Sequence, residues 1–212
     1  MSELTLEQVR AEKLTAIAKK VLPYPDRFKK THEIYELSML ADGSGPVSTA
    51  GRIMSMRKMG KLCFITIADI KGKIQAALKK DILGEEQYSF FINHFDIGDF
   101  IGLEGEMFTT KTGEKTIRAS WFVFLGKSIK TLPEKFHGVT DMDICYRQRY
   151  LDLIMNEDTQ KRFLLKFNFI KAIRNFLEDN EYIEIETPIL TNKPSGALAR
   201  PFIAHHNALD ME

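Results

Sequence analysis

Three rhythms of apolar and polar positions divide the chain. Over residues 4–22, Leu6, Val9, Leu14, Ile17 and Val21 recur near helical spacing, and Thr5 and Gln8 are placed as a capping box. An amphipathic helix is expected there, stopped by Pro23-Tyr-Pro25, where two prolines remove backbone donors and push their predecessors toward extended backbone. Beyond Gly43, Gly45 and Pro46 the period falls to two. Strands are expected at 47–56, 62–70, 74–78, 100–108 and 116–125, punctuated by Gly51, Gly60, Gly72, Gly105 and Gly113. Between the third and fourth strands, Tyr88, Phe91, Ile92 and Phe95 mark one face of a helix over 85–95. From Asn156 the period is helical again. Asn156 stands as a cap, Glu157 and Asp158 complement the dipole in the first turn, and the helix runs on to Asp179. One row carries Phe163, Phe167, Ile170, Ile173 and Leu177, yet Leu164, Leu165, Phe169 and Phe176 widen the apolar surface beyond a single stripe. Two faces therefore need covering. A core on one side and a partner subunit on the other would do this, as would deep burial within one domain. Tyr182, Ile183 and Ile185 then predict a strand ended by Pro188.

Three strands, a helix and two more strands is the order of an OB-fold barrel, which binds oligonucleotides on the face of its second and third strands. The expected fold class is α+β: an N-terminal helix, a five-stranded OB barrel, then the first long helix and strand of an incomplete antiparallel α/β domain. Expected boundaries are 1–44 for the helix and arm, 45–130 for the barrel, 131–154 for a hinge and 155–212 for the following domain. Unpaired bases need a flat ring to stack on and polar groups for their edges. Phe64 on the second strand and Gln75 on the third offer one of each, and Arg52, Arg57, Lys58 and Lys61 on or beside the first hairpin offer charge for phosphates. Phe64 is equally suited to the barrel core. Arg10, Lys13, Lys19 and Lys20 on the first helix form either a solvated face or a phosphate-contacting arm.

Charge and composition narrow this only a little. Thirty Lys and Arg against twenty-nine Asp and Glu leave a net charge of +1, so affinity for nucleic acid has to come from local clustering. Of 212 residues 44% are apolar, enough for proper cores. Cys63 and Cys145 lie far apart and outside any C-x-x-C spacing, which predicts neither a disulfide framework nor zinc and fits a reducing cytoplasm. No run approaches the roughly 18 apolar residues of a membrane span. His205 and His206 are adjacent, point to opposite faces of a strand and predict no metal site. Glu184 and Glu186 alternate with apolar residues and read as an exposed strand face.

Several stretches resemble class II lysyl-tRNA synthetases. Phe136-His-Gly138 followed by Tyr146-Arg-Gln-Arg-Tyr-Leu-Asp-Leu153 resembles that family's junction between anticodon-binding and catalytic domains. Tyr24 to Phe28, Ala50-Gly-Arg52, Met59-Gly-Lys61, Phe64, Asp69 and Lys73-Ile-Gln75 follow the family's order. The long helix and the strand ending in Pro188 resemble motif 1, the dimerisation element, and Pro194-Ser-Gly-Ala-Leu-Ala-Arg-Pro-Phe202 resembles a wall of the lysine pocket. By that resemblance Phe64 stacks on an anticodon base, Gln75 hydrogen-bonds to one, and Arg52 supports the loop. Arg57, Lys58 and Lys61 meet the tRNA backbone. Arg147 and Arg149 belong to the hinge, either bridging domains by a salt bridge or meeting the tRNA. Phe163, Phe167 and Pro188 line a dimer interface, and Gly196 and Ala197 lie beside the amino acid. The implied partners are tRNA(Lys), a second copy in a homodimer, and L-lysine; the implied cofactors are ATP and Mg2+.

Three positions depart from the family pattern: Trp121 stands where most members carry a base-reading glutamate, Glu181 where glycine is usual, and Ser195 where glycine is usual. Asn180 is expected to take over the turn at Glu181. Motifs 2 and 3, which hold the catalytic arginines, are not found, so no catalytic residue is expected here. The residues from Met155 onward are too few for a synthetase sheet, which suggests the front portion of a longer enzyme. An aspartate- or asparagine-type synthetase and a non-catalytic single-strand-binding module remain the alternatives.

Overall fold

A computed structural model describes residues 4–133, 139–188 and 202–210. The chain divides into two compact units, Met1–His137 and Gly138–Glu212.

In the first unit, α1 (Leu6–Ala18) begins with the expected capping box. The Thr5 hydroxyl accepts from the Gln8 amide at 3.3 Å, and Gln8 Oε1 accepts from the Thr5 amide at 2.8 Å. The helix stops earlier than its pattern implied, and of its apolar row Ile17 alone is buried. Polar contacts hold it instead. Arg10 donates to the Ser128 carbonyl at 2.7 Å, Lys13 pairs with Asp96 at 2.6 Å, and Lys20 lies 3.8 Å from Glu86. The first helix's cations are thus largely turned to the protein itself, so it is neither a plain solvated face nor a free arm. Pro25 to Thr31 then runs to a short helix, α2 (Ile34–Leu37), which the sequence pattern does not announce; its Ile34 and Leu37 are fully buried.

Five strands follow: β1 (Val47–Met59), β2 (Leu62–Ala68), β3 (Lys73–Lys79), β4 (Phe100–Thr109) and β5 (Lys115–Gly126). Their order is β1-β2-β3-β5-β4, and β4 pairs back onto β1, so the ring closes and leaves no edge. Every pairing is antiparallel except β3 with β5. Alternation sends Cys63, Ile65 and Ile67 of β2 inward with Ile53, Ile101 and Leu103. Irregularities in the ladders shape the ring. One, between Ile53 and Ser55, lets β1 leave β4 and continue along β2; another, between Glu104 and Gly105, inserts Ser120 into β5. Before β4 come α3 (Lys80–Leu83) and α4 (Glu85–His94), matching the expected helix within a residue at its end. α4 and the turn after it close one end of the barrel with an aromatic cluster. Phe95 meets Phe91, Phe122 and Phe124 at ring-centre distances of 4.8, 5.5 and 5.3 Å.

The second unit contains α5 (Met142–Arg147), α6 (Arg149–Met155) and α7 (Glu157–Asp179). Asp141 caps α5 by accepting from the Asp143 and Ile144 amides. Asn156 occupies the cap position of α7 but makes no cap bond. Its amide instead donates to the Val139 carbonyl at 3.0 Å and to Asp152 at 2.7 Å. At the other end of α7, the Tyr182 amide bonds to the Leu177 carbonyl and the Glu181 amide to that of Glu178, the pattern of a Schellman cap. Here Glu181 itself adopts the left-handed conformation, with φ of 68°, while Asn180 does not. The expected transfer of the turn to Asn180 is therefore wrong: the residue after the cap must be left-handed, and that residue is Glu181, at a cost of about 1–2 kcal/mol. Residues 182–188 make no strand pairing among the described residues. Period-two patterning specifies a strand only when a neighbour supplies the ladder.

Candidate functional site

The outer surface of β2 and β3 is fixed by alternation. Because Cys63, Ile65 and Ile67 fill the interior, Phe64 and Thr66 must face outward, and Phe64 is half-buried there rather than in the core. Across the sheet, Phe64 pairs with Arg57 on one side and Ala77 on the other, and Ala77 in turn pairs with Arg118 of β5. Gln75 pairs with Thr66 two residues along, on the same face. The strand register thus brings Phe64, Gln75 and Arg57 onto one surface, with Arg118 exposed at its far side.

Each polar member is set differently. Gln75 is only 5% exposed, and its amide donates to the Glu114 carboxylate at the β4–β5 turn. Its oxygen is then the group left to accept from a base. The side chains of Arg57 and Lys61 are exposed, with no ion-pair or hydrogen-bond partner among the described residues, whereas Lys58 donates to the Ile92 carbonyl at 2.8 Å and is already engaged. Arg52 is not brought to Phe64. It lies opposite Ala68, donates to the Gly98 carbonyl at 2.9 Å and stacks on Phe100 at 4.1 Å, anchoring the loop that leads into β4. Burial lowers its pKa from the ordinary arginine value. Burial also pushes the Cys63 thiol up to about 11, so it stays a neutral thiol packed in the barrel.

In the second unit the two hinge arginines find partners nearby. Arg147 pairs with Asp143 at 2.7 Å on the exposed side of α5. Arg149 pairs with Asp152, a side chain almost wholly buried, and its guanidinium lies 5.1 Å from the Tyr146 ring and 5.4 Å from that of Phe163. Burial alone would raise the Asp152 pKa, but hydrogen bonds from Asn156 and Thr159 and the Arg149 charge outweigh it and hold the carboxyl below its usual range. Phe163 is half-buried beside Phe167, which is exposed, as are Leu165, Phe169 and Phe176 along α7 and Pro188 beyond it. Gly196 and Ala197, with Phe136 to Gly138, lie outside the described residues. Among the described residues no group of three or more His, Cys, Asp or Glu is placed to hold a metal ion, and no helix is long and apolar enough to cross a membrane.

Two features were missed at the level of sequence: Glu114 and a cleft beside Trp121. Glu114 follows a glycine turn in an unremarked hairpin, and only the parallel β3–β5 pairing brings that hairpin over Gln75. The cleft, about 280 Å³, lies between residues 25–29 and the outer surface of β4 and β5, with Ser48 at its edge. Strict alternation would have turned Trp121 inward. The extra residue Ser120 shifts the phase, so Trp121 faces out opposite Glu104 while Phe122 takes the interior place.

Comparison with known proteins gives two domain matches. Residues 47–122 match the family described as OB-fold nucleic acid binding domain, and residues 141–212 match tRNA synthetases class II (D, K and N). A lysine–tRNA ligase from Thermosipho melanesiensis is 48% identical over 92% of this chain and 40% of its own length. Those from Enterococcus faecalis and Legionella pneumophila (strain Paris) are 43% and 41% identical over 96% and 100% of this chain, and 43% and 44% of their own lengths. The chain spans about two fifths of the curated relatives it matches. The chain thus joins a closed five-stranded barrel, matched as an OB-fold nucleic acid binding domain, to a region matched as tRNA synthetases class II (D, K and N), and over nearly its whole length it is similar to a part of lysine–tRNA ligases.

Proposed function

We propose that this chain serves the attachment of lysine to tRNA(Lys), and that its barrel reads the anticodon. The parent reaction is attack of the lysine carboxylate on the α-phosphate of ATP, followed by transfer of lysine to the terminal adenosine of the tRNA. Mg2+ supplies charge neutralisation of the phosphates when bound. The part taken by the barrel is recognition, in the cytoplasm where translation takes place.

The observation that carries this reading is the outward, half-buried ring of Phe64 between Arg57 and the Gln75–Glu114 pair. An aromatic with one face against the sheet and the other accessible is what an unpaired base stacks on. Arg57 and Lys61 stand ready for phosphates, and Arg52 acts indirectly, through the loop it holds. The test is binding to RNA hairpins carrying a lysine, an aspartate or a scrambled anticodon loop. The lysine loop is expected to bind tightest, and Phe64→Ala to weaken that binding by about 1–3 kcal/mol. Equal affinity for all three loops would instead favour a sequence-tolerant single-strand module, and an unaffected Phe64→Ala variant would remove Phe64 from the site.

The exposed row Leu165, Phe169, Ile173 and Phe176 of α7 supports a second part of the proposal, a homodimer formed through this helix. Phe163 and Phe167 lie on another side of the same helix and, with Pro188, are proposed as further interface residues. Sedimentation equilibrium should show a concentration-dependent dimer that Phe169→Glu together with Phe176→Glu converts to monomer. A wild-type chain that stays monomeric at tens of micromolar would sink it.

A further inference from the structure

The tip of the β1–β2 hairpin is held by hydrogen bonds rather than by packing. Met59, Gly60 and Lys61 are all exposed, and a Cβ at Gly60 would meet nothing within 4 Å among the described residues. Gly60 supplies the left-handed conformation of the turn, with φ of 62°. Both turn residues lie outside the β1–β2 rungs, the first of which joins Met59 to Leu62. Their carbonyls are nevertheless taken, each by the segment that follows β3. The Tyr88 hydroxyl, on α4, donates to the Gly60 carbonyl at 2.7 Å, and the Lys80 amide, at the start of α3, donates to the Lys61 carbonyl at 2.9 Å. Lys58 adds a third tie, to the Ile92 carbonyl at 2.8 Å. The Tyr88 ring is 6% exposed and packed in the core, so its oxygen is brought to the turn by a fixed body. Burial also raises its pKa, and the hydroxyl stays a donor at neutral pH. A buried tyrosine needs only some acceptor for its hydroxyl. Here the acceptor is a point from which an exposed, cation-bearing tip is steered.

We propose that Tyr88 is a positioning residue for the RNA-binding surface: its hydroxyl fixes the β1–β2 turn and thereby holds Lys61 where it meets a phosphate beside the base stacked on Phe64. The inference rests on the reading that this face binds single-stranded RNA, and it adds to that reading a buried residue that itself touches no RNA. The ladder carries the effect. Counting from the turn, Met59–Leu62 is the first rung, Lys58–Cys63 the second and Arg57–Phe64 the third. Phe64 therefore lies two residues beyond Leu62, about 7 Å along β2. A shift of the tip changes the distance between the Lys61 ammonium and the Phe64 ring directly. The Lys61 side chain is exposed and has no partner among the described residues, so the set of its backbone decides where its charge is offered. A tip already fixed spares the cost of ordering it when the strand binds.

The experiment is a double-mutant cycle on the full chain, read by the anisotropy of a labelled ten-nucleotide single-stranded RNA over a range of salt. Tyr88→Phe keeps the ring in the core and removes only the donor, so the urea midpoint should move little. RNA binding should weaken about 2- to 10-fold, the cost of ordering one or two long side chains on binding. Lys61→Gln alone should lower the salt slope by about 0.7, one phosphate contact. Together the two replacements should fall short of the product of their separate factors by at least about twofold, because Lys61 on a loose turn has less to lose. Hydrogen exchange at Gly60, Lys61 and Leu62 should quicken in Tyr88→Phe while the amides of β4 and β5 stay protected. A general loss of structure would instead lower the urea midpoint and leave the two effects multiplicative. Tyr88→Phe binding as tightly as wild type, or a cycle without coupling, overturns the positioning role, and loss of binding in Phe64→Ala then leaves the reading of the barrel face standing. A wild-type chain that binds no RNA overturns both.

Discussion

Replacing Lys127 with methionine should lower the unfolding free energy of the first unit by about 3–5 kcal/mol, read as a fall in the urea midpoint at neutral pH. The Lys127 side chain is wholly buried, and its three ammonium protons have three acceptors: Asp99 at 2.7 Å, Asp96 at 2.6 Å and the His94 carbonyl at 2.7 Å. Asp99 is equally buried and also accepts from the Ser128 and Asp96 amides. Methionine fills the space but leaves the Asp99 carboxylate without its counter-charge. Adding Asp99→Asn should recover part of the loss, because it removes the charge and keeps an acceptor. A drop under 1 kcal/mol would mean that water or rearrangement replaces the lysine easily. The same cluster sets an acid limit. Burial raises the Asp96 pKa, but the hydrogen bonds and charges of Lys127 and Lys13 outweigh it and hold the carboxyl below its ordinary value. A carboxyl lowered on folding contributes stability in full above its unfolded pKa of about 3.9, and that contribution disappears as pH falls through the folded value. The wild-type unit should therefore weaken progressively as pH falls below about 4, as the contribution of Asp96 is titrated away.

Phe95→Ala is expected to cost about 3–5 kcal/mol, since the ring is 1% exposed and is surrounded by Phe90, Phe91, Phe122 and Phe124. Phe95→Leu, which keeps most of the volume, should cost less than about 2 kcal/mol in the same urea titration. Equal losses for the two would show that edge-on ring packing, rather than filled volume, holds the plug. The plug is also tied to the outer surface of β5. Phe122 touches the plug from β5, and its neighbour Trp121 owes its outward aim to the same stretch of strand.

The sequence was most informative where one residue's neighbours constrained it. The Thr5–Gln8 box marked the first helix start correctly, whereas Phe64, suited by pattern to surface or core alike, is turned outward by the burial of Cys63, Ile65 and Ile67. Where long-range pairing decides, local pattern carried no signal. Nothing near Glu114 announces that it covers Gln75, because the parallel contact of β3 with β5 lies some forty positions apart in the chain and is made only on closure. Buried charges escaped notice for a similar reason. Lys127 and Asp99 each look like ordinary loop residues, and only their meeting at the barrel end gives them a role. Arg52, which the resemblance assigns to support of the loop, turns its guanidinium to the Gly98 carbonyl and the Phe100 ring, contacts that no local pattern announces. Bulges are invisible to a counted alternation, so the outward aim of Trp121 lay beyond what the local pattern carries.

The closure of the ring bears on how the barrel is assembled. β1, β2 and β3 are joined by short turns, so this meander can form early from local contacts, whereas Val47 must find Gly105 and Gln75 must find Thr116 across most of the barrel sequence. The last strand therefore acts as a latch, and the lone indole acquires its surroundings when the latch engages. Its emission during refolding reports closure of the ring rather than growth of the meander, and gives a clock for that late step without any added label.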